Sequence, residues 1–220
     1  MENGIRLITV PMPSLESATV LVMVGTGSRY ENRENSGISH FLEHMSFKGT
    51  KKRPTAREIV TLIDSMGGQY NAFTGKEVTG FFVKSAAANL ETSVDIISDI
   101  LMNSTFPEEE IEKERGVIIE ELNMYEDTPM RDIYDVYERL VFGDNSLGWN
   151  IGGEKEVVRK VKREDFVDYV SKHYSPSNMS VIVAGGIDEA KTTEMIKKYF
   201  SEMKSYKSLN IFSLHTLAIP

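Results

Sequence analysis

The chain has no cysteine among its 220 residues. Disulfides and thiolate metal sites are therefore excluded, and any bound metal must be held by His, Asp or Glu. Long apolar runs are absent too: no stretch of 18 apolar residues occurs, so no membrane-spanning helix is expected. The opening MENGIRLITV lacks a basic segment leading into a long apolar run. No secretory signal is visible there, and a cytoplasmic protein is the expectation. Basic residues are outnumbered, 25 Lys and Arg against 33 Asp and Glu, for a net charge of −8. That balance argues against a nucleic-acid partner and against binding to anionic membranes. What remains is 40% hydrophobic and 26% charged, an ordinary globular composition, long enough for one large domain or two small ones.

Histidine is scarce as well, with four in the chain, yet two of them sit four residues apart in His40-Phe41-Leu42-Glu43-His44. On a helix such a pair lies one turn apart, about 5–6 Å between Cβ atoms. Two imidazoles at that spacing can reach one ion at about 2.0–2.1 Å each. Glu43 beside them is placed to act as general base on water held by the ion. The flanks support a helix: Ile38, Phe41, Leu42 and Met45 follow the i, i+3, i+4, i+7 pattern of a core-facing stripe. His40, Glu43 and His44 fall on the opposite side. Asn35 or Ser36 is the expected N-cap. Five residues alone leave open a polar helix face carrying incidental histidines, the lesser of the two readings.

Around this stretch the pattern alternates between strand and helix. Strands are expected over residues 5–10 and 18–24, then a hairpin of residues 69–74 and 78–84 turning near Gly75, and a last strand over 180–184. Helices are expected from Thr55 to about Met66, over 89–103, from Pro107 to about Glu126, and over 131–142, 154–160, 163–173 and 188–200. The basic connection Lys48 to Pro54 reads as a solvated loop. This order predicts an α+β fold, a mixed β-sheet packed against α-helices.

A catalytic zinc site needs a third protein ligand and an open position. On the helix opened by Pro107, an apolar arc of Ile111, Val117, Ile118, Leu122, Met124 and Tyr125 takes in Glu114 and Glu121 and leaves Glu120 to solvent. A carboxylate on an apolar face is costly unless it is paired or binds metal. Glu121 is thus the candidate ligand, with Glu114 as a second candidate or a group supporting the ligands. Salt bridges from both to Lys or Arg are the plainer alternative.

With these residues in hand, the chain resembles the pitrilysin/insulinase family of zinc metallopeptidases, and within it the branch containing the mitochondrial processing peptidase and its bacterial relatives. The 76 residues between His44 and Glu121 equal the family spacing. Residues 37–50 (GISHFLEHMSFKGT), 67–74 (GGQYNAFT) and 114–121 (ERGVIIEE) match its words in order. The resemblance implies a metallohydrolase domain in which His40, His44 and Glu121 bind one zinc ion (Zn2+) per chain. Glu43 would activate water, and Glu114 would support the site. It also implies that Asn71 and Ala72 lie on the edge strand along which an extended peptide is laid by backbone pairing.

Family proteases carry two such domains, in one chain or two. Their second half supplies an arginine and a tyrosine near the scissile bond, which this sequence does not allow to be assigned. The expectation is therefore a zinc-site domain over residues 1–205, with 206–220 a tail or the start of a second half. A second homologous domain or subunit is the implied partner. The expected function is a zinc endopeptidase. Its rivals are a non-catalytic peptide-binding or assembly subunit and, more weakly, a small-molecule hydrolase. Two His and a carboxylate also suit other divalent ions.

Overall fold

Period-two alternation of apolar side chains builds the sheet. The computed structural model describes residues 1–203. In it five strands form, β1 (Arg6–Pro11), β2 (Ser17–Val24), β3 (Gln69–Thr74), β4 (Thr79–Ala86) and β5 (Met179–Gly185). Their order is β1-β5-β2-β4-β3. β1 and β5 are parallel and every other neighbouring pair is antiparallel. Val20, Val22 and Val24 of β2, Phe81 and Val83 of β4, and Val181 and Val183 of β5 all point to one face and are fully buried. The opposite face carries Ile8, Ile182, Leu21 and Phe82 in one register row across four strands, and these are only partly covered. A one-residue slip would exchange the two sets, so burial of one face fixes the register.

Eight α-helices complete the described residues: α1 (Ile38–Met45), α2 (Ala56–Ser65), α3 (Leu90–Asn103), α4 (Glu108–Glu126), α5 (Pro129–Phe142), α6 (Lys155–Val158), α7 (Arg163–His173) and α8 (Glu189–Phe200). The α+β class and the mixed sheet stand as the sequence predicts. β5 lies between β1 and β2, so residues from both ends of the described chain share one core. Residues 206–220, expected as a tail or the start of a second half, lie outside the described residues. Among the described residues no helix is long and apolar enough to cross a membrane.

Three local expectations are overturned. The sequence places a cap for α1 at Asn35 or Ser36, but the N-cap is Gly37 in the left-handed region at φ 91°. A Cβ there would meet the Gly152 carbonyl oxygen at 2.5 Å. The amides of Gly37 and Ser39 at the start of α1 are instead bound by a buried carboxylate of the preceding loop, Glu31. The helix expected over 154–160 shortens to Lys155–Val158: the Lys160 amide bonds the Val157 carbonyl three residues back rather than continuing the ladder, and Arg115 takes the carbonyls of Val158 and Val161. The basic connection is not fully solvated. Arg53 is buried, where it pairs with Asp95 and with Asp99 (2.7 Å) of α3.

Thr55 does cap α2. Its Oγ1 accepts from the Glu58 amide at 3.3 Å while Glu58 accepts from the Thr55 amide at 2.9 Å, a complete capping box. Replacing Thr55 by Ala should lower the unfolding free energy by about 1 kcal/mol, the usual cost of a lost cap. Chemical denaturation is the measurement, and an unchanged midpoint would refute the assignment.

Candidate metal centre

α1 is amphipathic in the way its sequence dictates. Ile38, Phe41, Leu42 and Met45 are buried, with Phe41 edge-on to Phe166 of α7 at 5.1 Å. That anchoring turns His40, Glu43 and His44 outward to a cleft between α1, β3 and α4. α4 packs by a narrow stripe of Ile111, Glu114, Ile118 and Leu122. Val117 and Met124, expected on its apolar arc, are about half exposed instead. A helix packed by one stripe buries one row of turns, not a broad arc. Glu121 sits at the margin of that stripe and Glu120 faces solvent.

The fold brings His40, His44 and Glu121 together. One ligating atom from each lies within 4.8 Å of the others. Glu121 Oε2 is 3.8 Å from His40 Nε2 and 3.4 Å from His44 Nε2. Two imidazoles and one carboxylate converging on an open side is a donor set that suits zinc with a position left for water. Burial, helped by the neighbouring His44, pushes the His40 pKa down to about 4. The ring is therefore neutral at pH 7, as a ligand must be.

Glu114 does not join the three. Its Oε2 lies 3.0 Å from His44 Nδ1, and its Oε1 accepts from Lys48 at 2.5 Å. A carboxylate on Nδ1 fixes the proton there and turns the Nε2 lone pair toward the centre. Burial alone would raise the Glu114 pKa, but the hydrogen bonds from Lys48 and His44 outweigh it and hold the carboxyl below its usual range. Glu43 is held by Thr74, whose hydroxyl donates to Oε2 at 2.6 Å. Burial raises its pKa, the direction that makes a better base at neutral pH. Tyr125 donates to Glu121 Oε1.

Among the described residues β3 is the outermost strand and pairs with β4 alone, so its other edge has no strand beside it there. Asn71 is exposed on it, while Ala72 is 8% exposed and lines the cleft with Phe73 and Thr74. The Ala72 amide donates to Asn71 Oδ1 at 2.9 Å. Tyr125, Arg131 and Asp135 form the facing wall. Sequence reasoning missed Thr74, Lys48 and Glu31, because each acts through a contact between separate elements, and it missed the hydroxyl of Tyr125, which reaches Glu121 one turn back on the same helix. The one available signal was that Thr74 and Lys48 fall inside stretches already singled out.

A sequence model of the insulinase family (peptidase family M16) matches residues 6–152. A second, for the peptidase M16 inactive domain, matches residues 160–213. Both stretches contribute strands to the same sheet. An uncharacterized zinc protease of Rickettsia felis is 38% identical over 210 residues, 96% of this chain and 51% of that protein. The zinc protease YmxG of Bacillus subtilis is 37% identical over 204 residues, 93% of this chain and 49% of its own length. The β subunit of the mitochondrial-processing peptidase of Bos taurus is 38% identical over 205 residues, 93% of this chain and 41% of the subunit. Among solved structures, a protease from Helicobacter pylori has a TM-score of 0.88 at 29% identity, covering 93% of this chain and 50% of that one. The chain spans about half the length of the curated relatives it matches.

The depressed His40 pKa has a consequence for stability. The folded chain binds a proton on His40 more weakly than the unfolded chain does, so the stabilisation is complete above pH 6.5 and lost as pH falls toward 4. With metal removed by chelator, the unfolding free energy should fall through that window. His40→Gln should flatten the fall. An equal slope in both proteins would contradict the assignment.

Proposed function

The chain belongs to the insulinase family, peptidase family M16, and from that premise we propose that it is the metal-carrying half of a zinc endopeptidase that cuts extended peptides. The observation that carries this reading is the convergence of His40, His44 and Glu121 beside Glu43, at a cleft walled by the free edge of β3.

In this reading His40, His44 and Glu121 hold the ion. When bound, zinc would polarise the scissile carbonyl and bring the pKa of attacking water down to about 7. The chain's own residues do the rest. Thr74 occupies Glu43 Oε2, leaving Oε1 to take the proton from the attacking water and later deliver it to the leaving amine. Glu114 keeps His44 in the tautomer that presents Nε2. The substrate adds a strand along Gln69–Thr74, with Asn71 and Ala72 among the residues it pairs with. Main-chain pairing gives affinity without demanding one sequence.

A second homologous domain or subunit is the proposed partner. The relatives have about twice this length, and α5 has no buried residue, with Met130 and Leu140 each 82% exposed. An apolar helix face left this open is suited to a protein interface. The half-length match also favours one other reading, a subunit that holds peptides without cutting them.

Metal analysis and one substitution separate the two. The protein should carry about one zinc per chain, lost in Glu121→Gln. Glu43→Gln should keep the zinc while slowing peptide hydrolysis by the assembled enzyme by about a hundredfold or more. A chain that takes up no zinc when offered it would overturn the endopeptidase reading and leave the peptide-holding one.

A further inference from the structure

The two histidines of the centre are held in different ways. His44 is aimed from the side, through the Glu114 carboxylate on its Nδ1. His40 has no such help: its Nδ1 is buried and has no hydrogen-bond partner among the described residues. Its direction therefore rests on the backbone that carries it and on packing against the His44 ring, 4.7 Å away. That backbone is the first turn of α1, which starts at a glycine without a side-chain cap.

What fixes this turn is Glu31, a residue of the loop before the helix. Glu31 is 7% exposed. Oε2 accepts from the Gly37 amide at 2.7 Å and Oε1 from the Ser39 amide at 2.9 Å. The Ser39 hydroxyl shares a 2.7 Å hydrogen bond with Tyr169 of α7. Ser39 is the residue immediately before His40. A buried carboxylate is costly to keep. Here it satisfies amides that the start of a helix leaves free, and its charge sits at the favourable end of the helix dipole. Glu31 thus clamps the backbone just before His40, and the Ser39 hydroxyl ties the same turn to α7.

We propose that Glu31 is the positioning residue for His40: by clamping the first turn of α1 it fixes the direction of that imidazole at the metal centre. The proposal rests on the reading of His40 as a ligand. It assigns to a residue of a charged loop, 9 positions upstream in the sequence, a role in metal affinity.

The test uses the 220-residue chain at pH 8, above the value of about 7 to which burial pushes the Glu31 carboxyl. Zinc affinity is measured by competition with a chelator, alongside the metal-free thermal midpoint and the visible absorption of the cobalt-substituted protein. Glu31→Gln presents an amide donor to backbone donors. It should weaken zinc binding by about ten- to hundredfold, the range typical of groups that orient a ligand, and alter the cobalt spectrum. Thr55→Ala, a cap lost from α2 away from the centre, should lose stability yet keep wild-type zinc affinity. Glu31→Asp, which keeps the charge but shortens the reach, should show a smaller loss than Glu31→Gln. Wild-type zinc affinity in Glu31→Gln would overturn the proposal, and wild-type affinity in Glu31→Asp would do so if the Gln variant fails to fold. An affinity loss in Thr55→Ala matching that in Glu31→Gln would also overturn it, since the effect would then be stability alone. Failure of the wild-type chain to bind zinc would instead sink the endopeptidase reading from which the proposal starts.

Discussion

α1 has to satisfy two environments with eight residues. Ile38, Phe41, Leu42 and Met45 must stay in the core, and the 3.6-residue period then leaves only one direction for His40, Glu43 and His44. Burial of Phe41 against Phe166 therefore does more than stabilise: it aims the outward face. β3 and α4 flank that face, and their positions follow from pairing with β4 and from packing on α1. If the helix rotated to relieve strain at the cleft, large apolar side chains would be drawn out of the core at a cost of a few kcal/mol. The rigid half of the helix holds the reactive half in place.

The charge pattern makes sense as an electrostatic requirement. Glu43, Glu114 and Glu121 converge on one partly buried region around two imidazoles, and Lys48 compensates only Glu114. Carboxylates gathered in a place of reduced solvation repel one another and lose hydration. The opposing shifts at Glu43, raised, and Glu114, lowered, show how the region sorts its charges. Glu114 is anchored by hydrogen bonds, while Glu43 is left the more basic group. A divalent cation held by His40, His44 and Glu121 would offset the remaining excess.

The cleft has a geometry suited to extended chains and surfaces suited to company. An edge strand with free backbone groups is ordinarily a liability; here it lies beside the candidate centre, where pairing with a peptide would be useful. The outer face of the sheet and the apolar side of α5 remain partly or largely uncovered. With relatives of about twice the length, a partner domain over these surfaces is the economical reading.

Much was legible in the sequence because it depends on neighbours along the chain. Alternation marked the strands, helical periodicity marked α1 with its buried and outward faces, and Thr55 with Glu58 marked the start of α2. The spacing of His40, His44 and Glu121 carried the family resemblance before any fold was known. The tertiary structure decided what depends on encounters between distant segments. It gave Glu114 to His44 and Lys48, and Thr74 to Glu43. It buried Arg53, brought Arg115 to the carbonyls at and beyond the end of α6, and replaced the expected cap at Asn35 or Ser36 by Glu31. The reason is physical. Periodicity records which side of an element faces the core, whereas hydrogen bonds between elements record where those elements meet, and that is set only when the sheet has formed and the helices have packed on it.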